Sequence, residues 1–242
     1  MGILRSIART LDAFLAPPLC PACREERAAS PDPASPLCPR CARKAKALPP
    51  EQCPLCGAPL NTALEICQAC ASSIRPWIAG TCAFPYAGPA GAWIRALKYG
   101  GETAFVPLLS HRMAEAWRRH HGEAPLRPDL VVPIPLHWRR GRQRGFNQAA
   151  LLAAGVAREL GVPWGEALRR PRSTAHQARL KGTGRHRNLR HAFQVPRPPD
   201  VQGKCILVVD DVLTTGATLE AACQALLEAG AAQTAVLAAA RA

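Results

Sequence analysis

Four cysteine pairs with one spacing dominate the first third of the chain: Cys20-Pro-Ala-Cys23, Cys38-Pro-Arg-Cys41, Cys53-Pro-Leu-Cys56 and Cys67-Gln-Ala-Cys70. The gaps between successive pairs are 14, 11 and 10 residues. A C-x2-C turn bends the backbone so that both thiolates converge on one ion, and two such turns complete a tetrahedral S4 site. Proline after the first cysteine in three pairs, and Gly57 after Cys56, suit a tight turn followed by a residue with φ > 0. Soft thiolate ligands favour Zn²⁺ over hard cations, so the expectation is two structural zinc sites. Disulfides, an iron–sulfur cluster or vestigial sites are the alternatives. Neighbouring pairs suggest Cys20/Cys23/Cys38/Cys41 for one ion and Cys53/Cys56/Cys67/Cys70 for the other, while an interleaved cross-brace would use the same residues with exchanged partners. The segments between the pairs, such as Ala29–Leu37 and Leu48–Pro50, are too rich in proline and polar residues to build a core. Metal binding must therefore supply much of this region's folding energy.

The chain has 11 cysteines, and an odd count argues against a secreted framework of fully paired disulfides. Nor do the opening residues read as a secretory leader, since Arg5, Arg9 and Asp12 interrupt any apolar core. Ile3, Leu4, Ile7, Leu11, Phe14 and Leu15 fall at helical spacing instead, as a helix docked on the protein or, alternatively, lying on a membrane surface. No segment approaches the roughly 18 uninterrupted apolar residues of a membrane span. These features imply a reducing, cytoplasmic setting, peripheral to the inner membrane if the opening helix binds lipid. Cys82, Cys205 and Cys223 stand singly in apolar surroundings and read as ordinary buried thiols.

Charge separates the rest of the chain from the cysteine region. The formal net charge is +14, and residues 137–191 alone carry 13 basic against 2 acidic residues. Eight zinc-bound thiolates and two Zn²⁺ would lower the total to about +10 and leave the cysteine region near neutrality. The basic field therefore belongs to the following segment and suits a polyanion: nucleic acid, phosphorylated metabolite or anionic membrane. A cysteine region without a basic face of its own is better suited to structure or docking.

Of the 242 residues, 1–78 read as an N-terminal helix followed by a double zinc ribbon, and 79–242 as a second domain. In the latter, strands are predicted at Gly80–Tyr86, Leu130–Ile134, Lys204–Val209 and Thr234–Ala239. Helices are predicted at Ala90–Lys98, Thr103–His121, Gln148–Leu160 and Gly216–Glu228. Alternation at these lengths defines an α/β fold with a mostly parallel sheet flanked by helices.

The segment Ile206–Leu219, sequence ILVVDDVLTTGATL, carries the most chemistry. Four apolar residues form a buried strand that ends in Asp210 and Asp211, and Thr214-Thr215-Gly216-Ala217-Thr218 then turns into a helix. In open α/β sheets ligands bind beyond the carboxyl ends of strands, where this turn lies. Free N–H groups at a helix start, with threonine hydroxyls beside them, cradle a phosphate, and Gly216 lets the backbone approach the anion. Two carboxylates next to a phosphate suit sugar hydroxyls, with or without a bridging divalent cation. A receiver domain is excluded because only 31 residues follow Asp211, and a Walker-B strand lacks an upstream P-loop.

This segment resembles the phosphoribosyl-pyrophosphate (PRPP) motif of type I phosphoribosyltransferases. That resemblance implies ribose contacts from Asp210 and Asp211, and a 5′-phosphate held by Thr214–Thr218. Val131–Leu136, including Pro133 and Ile134, is similar to the strand and loop that meet pyrophosphate in such enzymes. Arg140-Gly-Arg-Gln-Arg-Gly-Phe-Asn-Gln148 and the stretch from Thr174 to Phe193, together with the cysteine pairs, resemble the ComF family over nearly the whole chain. The resemblance implies a role in natural competence on internalised single-stranded DNA.

Displacing pyrophosphate from an anomeric carbon needs Mg²⁺ and basic groups around the leaving group more than it needs a protein nucleophile. Arg139, Arg140, Arg142 and Arg144 follow the pyrophosphate strand, with Arg140 and Arg144 the candidates for catalysis beside Asp210 and Asp211. A second basic stretch, with Arg179, Lys181 and Arg185, contains Gly182 and Gly184 and could close as a lid. His176 and His186 are weaker candidates for proton transfer. The expectation is Mg²⁺-dependent phosphoribosyl transfer from PRPP to an acceptor that the sequence does not name. The alternatives are a non-catalytic single-stranded-DNA-binding protein that keeps the fold as a ligand sensor, or a scaffold for DNA-uptake or recombination proteins.

Overall fold

Runs of branched and small apolar residues form the strands, and their burial on both faces explains why they lack polar alternation. The computed structural model describes residues 19–29, 32, 34, 36–60, 64–122, 126–136, 144–171 and 192–242. The expected opening helix, Arg139, Arg140, Arg142, and the stretch holding His176, Arg179, Lys181, Arg185 and His186 lie outside these residues. Strands β1 (Ala79–Pro85), β2 (Leu130–Pro133), β3 (Cys205–Leu213) and β4 (Gln233–Arg241) form one parallel sheet in the order β1-β4-β3-β2. The central pair, β3 and β4, carries the apolar runs Ile206–Val209 and Ala235–Ala240, whose side chains are all buried.

Two short helices lie in the cysteine region, α1 (Pro39–Lys44) and α2 (Gln68–Ala71). Helices α3 (Pro89–Gly100), α4 (Val106–His121) and α5 (Gln148–Leu160) cover one face of the sheet, and α6 (Ala217–Glu228) the other. The α5 limits agree with the predicted ones because both ends are encoded locally. The Asn147 side chain accepts from the Ala149 N–H at 3.1 Å, and Gly161 closes the helix in the left-handed region, φ 67°.

Most other predicted ends shift by one to three residues, and one shift matters for the site. The strand expected to stop at Val209 continues through Leu213, so Asp210 and Asp211 lie inside β3. Asp210 pairs in register with Ala238 and Val212 with Ala240 of β4, and this ladder carries the strand past both carboxylates. Period-2 alternation then sends the two side chains to opposite faces.

The cysteine region packs into the sheet's core. Cys20, Leu37 and Cys38 are buried in one cluster with Ala83, Phe84 and Trp93, while Leu48, Cys53, Cys56, Cys70 and Trp77 join the other with Cys82, Val236 and Leu219. Each cluster therefore spans the position between residues 78 and 79. Cys82 and Cys223 are fully buried, and burial pushes both thiols up to about 12. Cys205 is only half-buried.

Candidate functional site

All eleven cysteines are free thiols, and eight of them form two compact groups. The groups are Cys20/Cys23/Cys38/Cys41 and Cys53/Cys56/Cys67/Cys70, with every sulfur within 4.8 Å of the others in its group. This decides the pairing that spacing left open: it is sequential. A Zn–S bond of about 2.3 Å implies about 3.8 Å between sulfurs at the corners of a tetrahedron. The Cys23–Cys38 and Cys56–Cys67 sulfurs lie 3.8 and 3.6 Å apart, far beyond a disulfide and close to that edge. The Cys41 N–H points at the Cys38 sulfur at 3.5 Å. Both groups fit a tetrahedral ion such as Zn²⁺.

On the sheet, the acidic pair is divided by its contacts as well as by face. Asp211 is buried, and both its oxygens are engaged: Oδ1 lies 2.6 Å from Lys98 Nζ on α3, and Oδ2 accepts from Gln148 Nε2 on α5 at 2.7 Å. It ties two helices to β3. Asp210 accepts the Asp211 N–H at 2.8 Å. Its carboxyl is raised to about 8, first by burial and then by the charge of Asp211, with the Asp211 N–H, Lys98 and Arg170 acting in the opposite direction. A carboxylate in that state gains from any cation brought beside it, which suits a divalent ion.

Beyond β3 comes the turn. Thr214 and Thr215 are exposed, Gly216 is buried with φ 87°, and Ala217 opens α6. The first N–H groups of a helix have no partner within it, so this turn offers donors to an anion. Three arginine and tryptophan side chains from distant positions hold it from behind. Arg241 Nη1 donates to the carbonyls of Leu213 and Thr214 at 3.1 and 2.8 Å. Arg75 Nη1 reaches the Thr215 carbonyl and Glu220, each at 3.5 Å. A Cβ on Gly216 would stand 3.2 Å from Cη2 of Trp77.

Pro133 and Ile134 are buried at the end of β2, and the Ile134 N–H donates to the Val209 carbonyl at 2.9 Å. The Arg-Gly-Phe-Asn-Gln run locks onto this same place. Asn147 caps α5 and donates from Nδ2 to the Ile134 carbonyl at 3.0 Å, while Gln148 reaches Asp211. Arg144 donates to Gln148 at 3.2 Å and stacks over Tyr99 at 5.0 Å. Beside the end of β2 opens a cavity of about 510 Å³, whose walls include Pro133, Pro135, Leu136, Asn147, Arg169 and Arg170.

Sequence reasoning missed Lys98, Arg75, Trp77, Arg170 and Arg241. None sits in a local motif: Arg75 and Trp77 come from the segment before β1, Lys98 from α3, Arg170 from the segment after α5 and Arg241 from the end of β4. The only signal was indirect: a buried acidic pair needs a basic partner somewhere.

A parallel sheet with a strand–turn–helix segment at its carboxyl edge defines a phosphoribosyltransferase-type domain, and the profile of the phosphoribosyl transferase domain matches residues 146–242. The DNA utilization protein YhgH of Escherichia coli (strain K12) is 36% identical over 178 residues, covering 73% of this chain and 78% of that protein. Competence protein F of Haemophilus influenzae is 28% identical over 169 residues, 67% of this chain and 72% of the relative. Competence protein ComFC of Bacillus subtilis (strain 168) is 37% identical over 101 residues, 42% of this chain and 39% of the relative. The chain belongs to the ComF family.

Proposed function

We propose that the chain binds PRPP and transfers its 5-phosphoribosyl group to an acceptor during the handling of internalised single-stranded DNA in natural competence. The turn Thr214–Thr218 carries this reading, because it combines the start of a helix, the exposed Thr214 and Thr215 and a glycine at the carboxyl edge of a parallel sheet, with the Ala217 N–H donating at 3.4 Å to Thr215 Oγ1. In this reading Thr214, Thr215, Gly216, Ala217 and Thr218 bind the 5′-phosphate, and Asp210 meets the ribose hydroxyls. Asp211 acts from behind, holding β3 to Lys98 and Gln148.

In the transfer, the bond from the anomeric carbon to pyrophosphate breaks and its electron pair leaves with pyrophosphate. The bond to the acceptor forms, and the acceptor's proton passes to solvent or to pyrophosphate. Mg²⁺ bound with PRPP would neutralise the leaving group. Pro133 and Ile134 form the floor beside it, with Arg139, Arg140 and Arg144 on the following segment, and Arg179, Lys181 and Arg185 on the lid.

The cysteine groups hold structural zinc, residues 1–78 and 79–242 act as ribbon and catalytic domains, and the protein works in the cytoplasm or against the inner membrane. Among the described residues no helix is long and apolar enough to cross a membrane. Titrating zinc-loaded protein with PRPP and Mg²⁺ in a calorimeter tests the reading, with Asp210→Asn as the control. Micromolar binding that the variant loses is the expected result, and absence of binding to the native chain would sink it.

A second reading, a single-stranded-DNA-binding protein without transfer activity, is favoured by one surface feature. Tyr99 is 76% exposed, and Arg144, the last arginine of the basic run, stacks on its ring. An exposed aromatic beside cationic side chains is a platform for an unpaired base. Under this reading, partners from the DNA-uptake or recombination machinery would dock on the zinc region. Binding to an oligonucleotide that falls steeply with salt and weakens in Tyr99→Ala would support it.

A further inference from the structure

The second cysteine group and the phosphate turn lie on opposite sides of one side chain, Trp77. Its indole Nε1 donates to the carbonyl of Leu55, inside the Cys53–Cys56 turn, at 2.6 Å. Its six-membered ring ends against Gly216. The side chain is 3% exposed, and the Arg75 guanidinium covers the ring at 5.3 Å while reaching the Thr215 carbonyl and Glu220. The same knuckle is joined to the sheet through its backbone carbonyls. The Gly80 N–H donates to the Pro54 carbonyl at 2.7 Å, and Cys82 Sγ to the Cys56 carbonyl at 3.6 Å. The first cysteine group has no such route among the described residues. It packs near Phe84 and Trp93, toward the face of α3 and α4.

We propose that Trp77, clamped by Arg75, is a positioning residue that transmits the geometry of the Cys53/Cys56/Cys67/Cys70 site to the turn Thr214–Thr218. It makes phosphate binding depend on metal at the second site and not at the first. The inference deepens the PRPP reading and rests on it for its ligand, but the mechanical link stands on contacts within the protein. A thiolate site without its ion frees the knuckle carbonyl that orients the indole, and the buried ring then no longer braces Gly216. With φ 87° Gly216 presents only a hydrogen atom to the ring; its carbonyl is held by the Glu220 N–H at 2.8 Å, and on its Cα side the indole is the neighbour that packs against it.

Amide hydrogen exchange of the full-length zinc-loaded protein tests this without any ligand. Residues 213–219 are the reporter and α4 is the control. In Trp77→Phe, which keeps an apolar ring but lacks the indole donor, exchange at 213–219 should rise at least roughly tenfold while α4 is unchanged and both zinc ions are retained. Cys53→Ser should give the same local rise, and Cys20→Ser should not. A uniform rise in both segments would mean a merely structural core residue and would overturn the proposal, as would no rise at 213–219. PRPP titration then separates the two ideas. Native protein that binds PRPP while Trp77→Phe binds at least roughly tenfold more weakly supports both. Native protein that fails to bind ends the PRPP reading, and the exchange result alone then decides the strut.

Discussion

The two cysteine groups have the same ligands, the same knuckle spacing and the same proline in the first turn, yet they are attached to the protein differently. After the first knuckle comes Arg24, exposed, with φ 57°. After the corresponding knuckle of the second group comes Gly57, with φ 66°, and a Cβ there would stand 2.5 Å from the backbone nitrogen of Cys82. Both turns need a left-handed residue. Only the second is pressed so closely to β1 that the residue must also lack a side chain. Identical local chemistry thus serves two attachments: one at the rim, tied by the Arg24–Glu102 ion pair to the link between α3 and α4, and one seated on the sheet beside the Thr214–Thr218 turn.

Zinc removal should break this comparison most strongly. Structural zinc contributes on the order of 10 kcal/mol in isolated zinc fingers, so chelation should unfold the cysteine region outright. The double variant Cys53→Ser, Cys56→Ser should lower the melting temperature of the whole chain more than Cys20→Ser, Cys23→Ser, as read by calorimetry. Equal losses would mean that both groups are seated alike.

Next in size is the buried pair beneath α3. Asp211→Ala leaves Lys98 and Gln148 without their acceptor and should cost about 3–5 kcal/mol by denaturant unfolding. A cost below roughly 1 kcal/mol would mean that Lys98 finds water instead.

The two residues after the knuckles should respond in opposite directions. Gly57→Ala forces a side chain into the β1 backbone and should destabilise by about 2 kcal/mol or more, whereas Arg24→Gly relieves a left-handed arginine and should gain up to about 1 kcal/mol. Similar losses at both sites would erase the contrast.

Asp210 gives a smaller, pH-dependent effect. Its carboxyl is raised in the folded protein to about 8, against 3.8 in a free chain, so between those values the folded state holds a proton that the unfolded state has released. Its contribution therefore falls as pH rises from about 4 toward 8 and is constant above that. Asp210→Asn should flatten this slope and raise the melting temperature at pH 8 by a few degrees, roughly. A steeper slope in the variant would show the sign to be wrong. The smallest effect belongs to the rim. Glu102→Ala removes an exposed ion pair and should change stability by less than about 1 kcal/mol, leaving zinc content intact by metal analysis.

Much of the fold is legible because its signals are local. Asn147 and Gly161 bracket α5, and four buried strands announce themselves as apolar runs between turns. The end of β3 is illegible for a corresponding reason. Two aspartates read as the close of a strand, but register with Ala238 and Ala240 of β4 carries the ladder through them. The site divides along the same line. The turn Thr214–Thr218 and the eight cysteines are written as motifs, whereas the partners that set their state, Lys98, Trp77, Arg75 and Arg241, are single residues in unremarkable surroundings.

Sequence alone determined the eight cysteines of the two groups, the parallel α/β architecture and the position of the Thr214–Thr218 turn, because spacing, periodicity and helix-start chemistry act over a few residues. Tertiary structure decided the sequential pairing of the cysteines, the opposite faces of Asp210 and Asp211, and the seat of the second group behind the turn. Those outcomes depend on which segments the sheet brings together. The 14 basic charges in excess, read along the chain, gain a place only when Arg144 lies on Tyr99 and Lys98 on Asp211. Charge and burial act through space, and only the fold sets those distances.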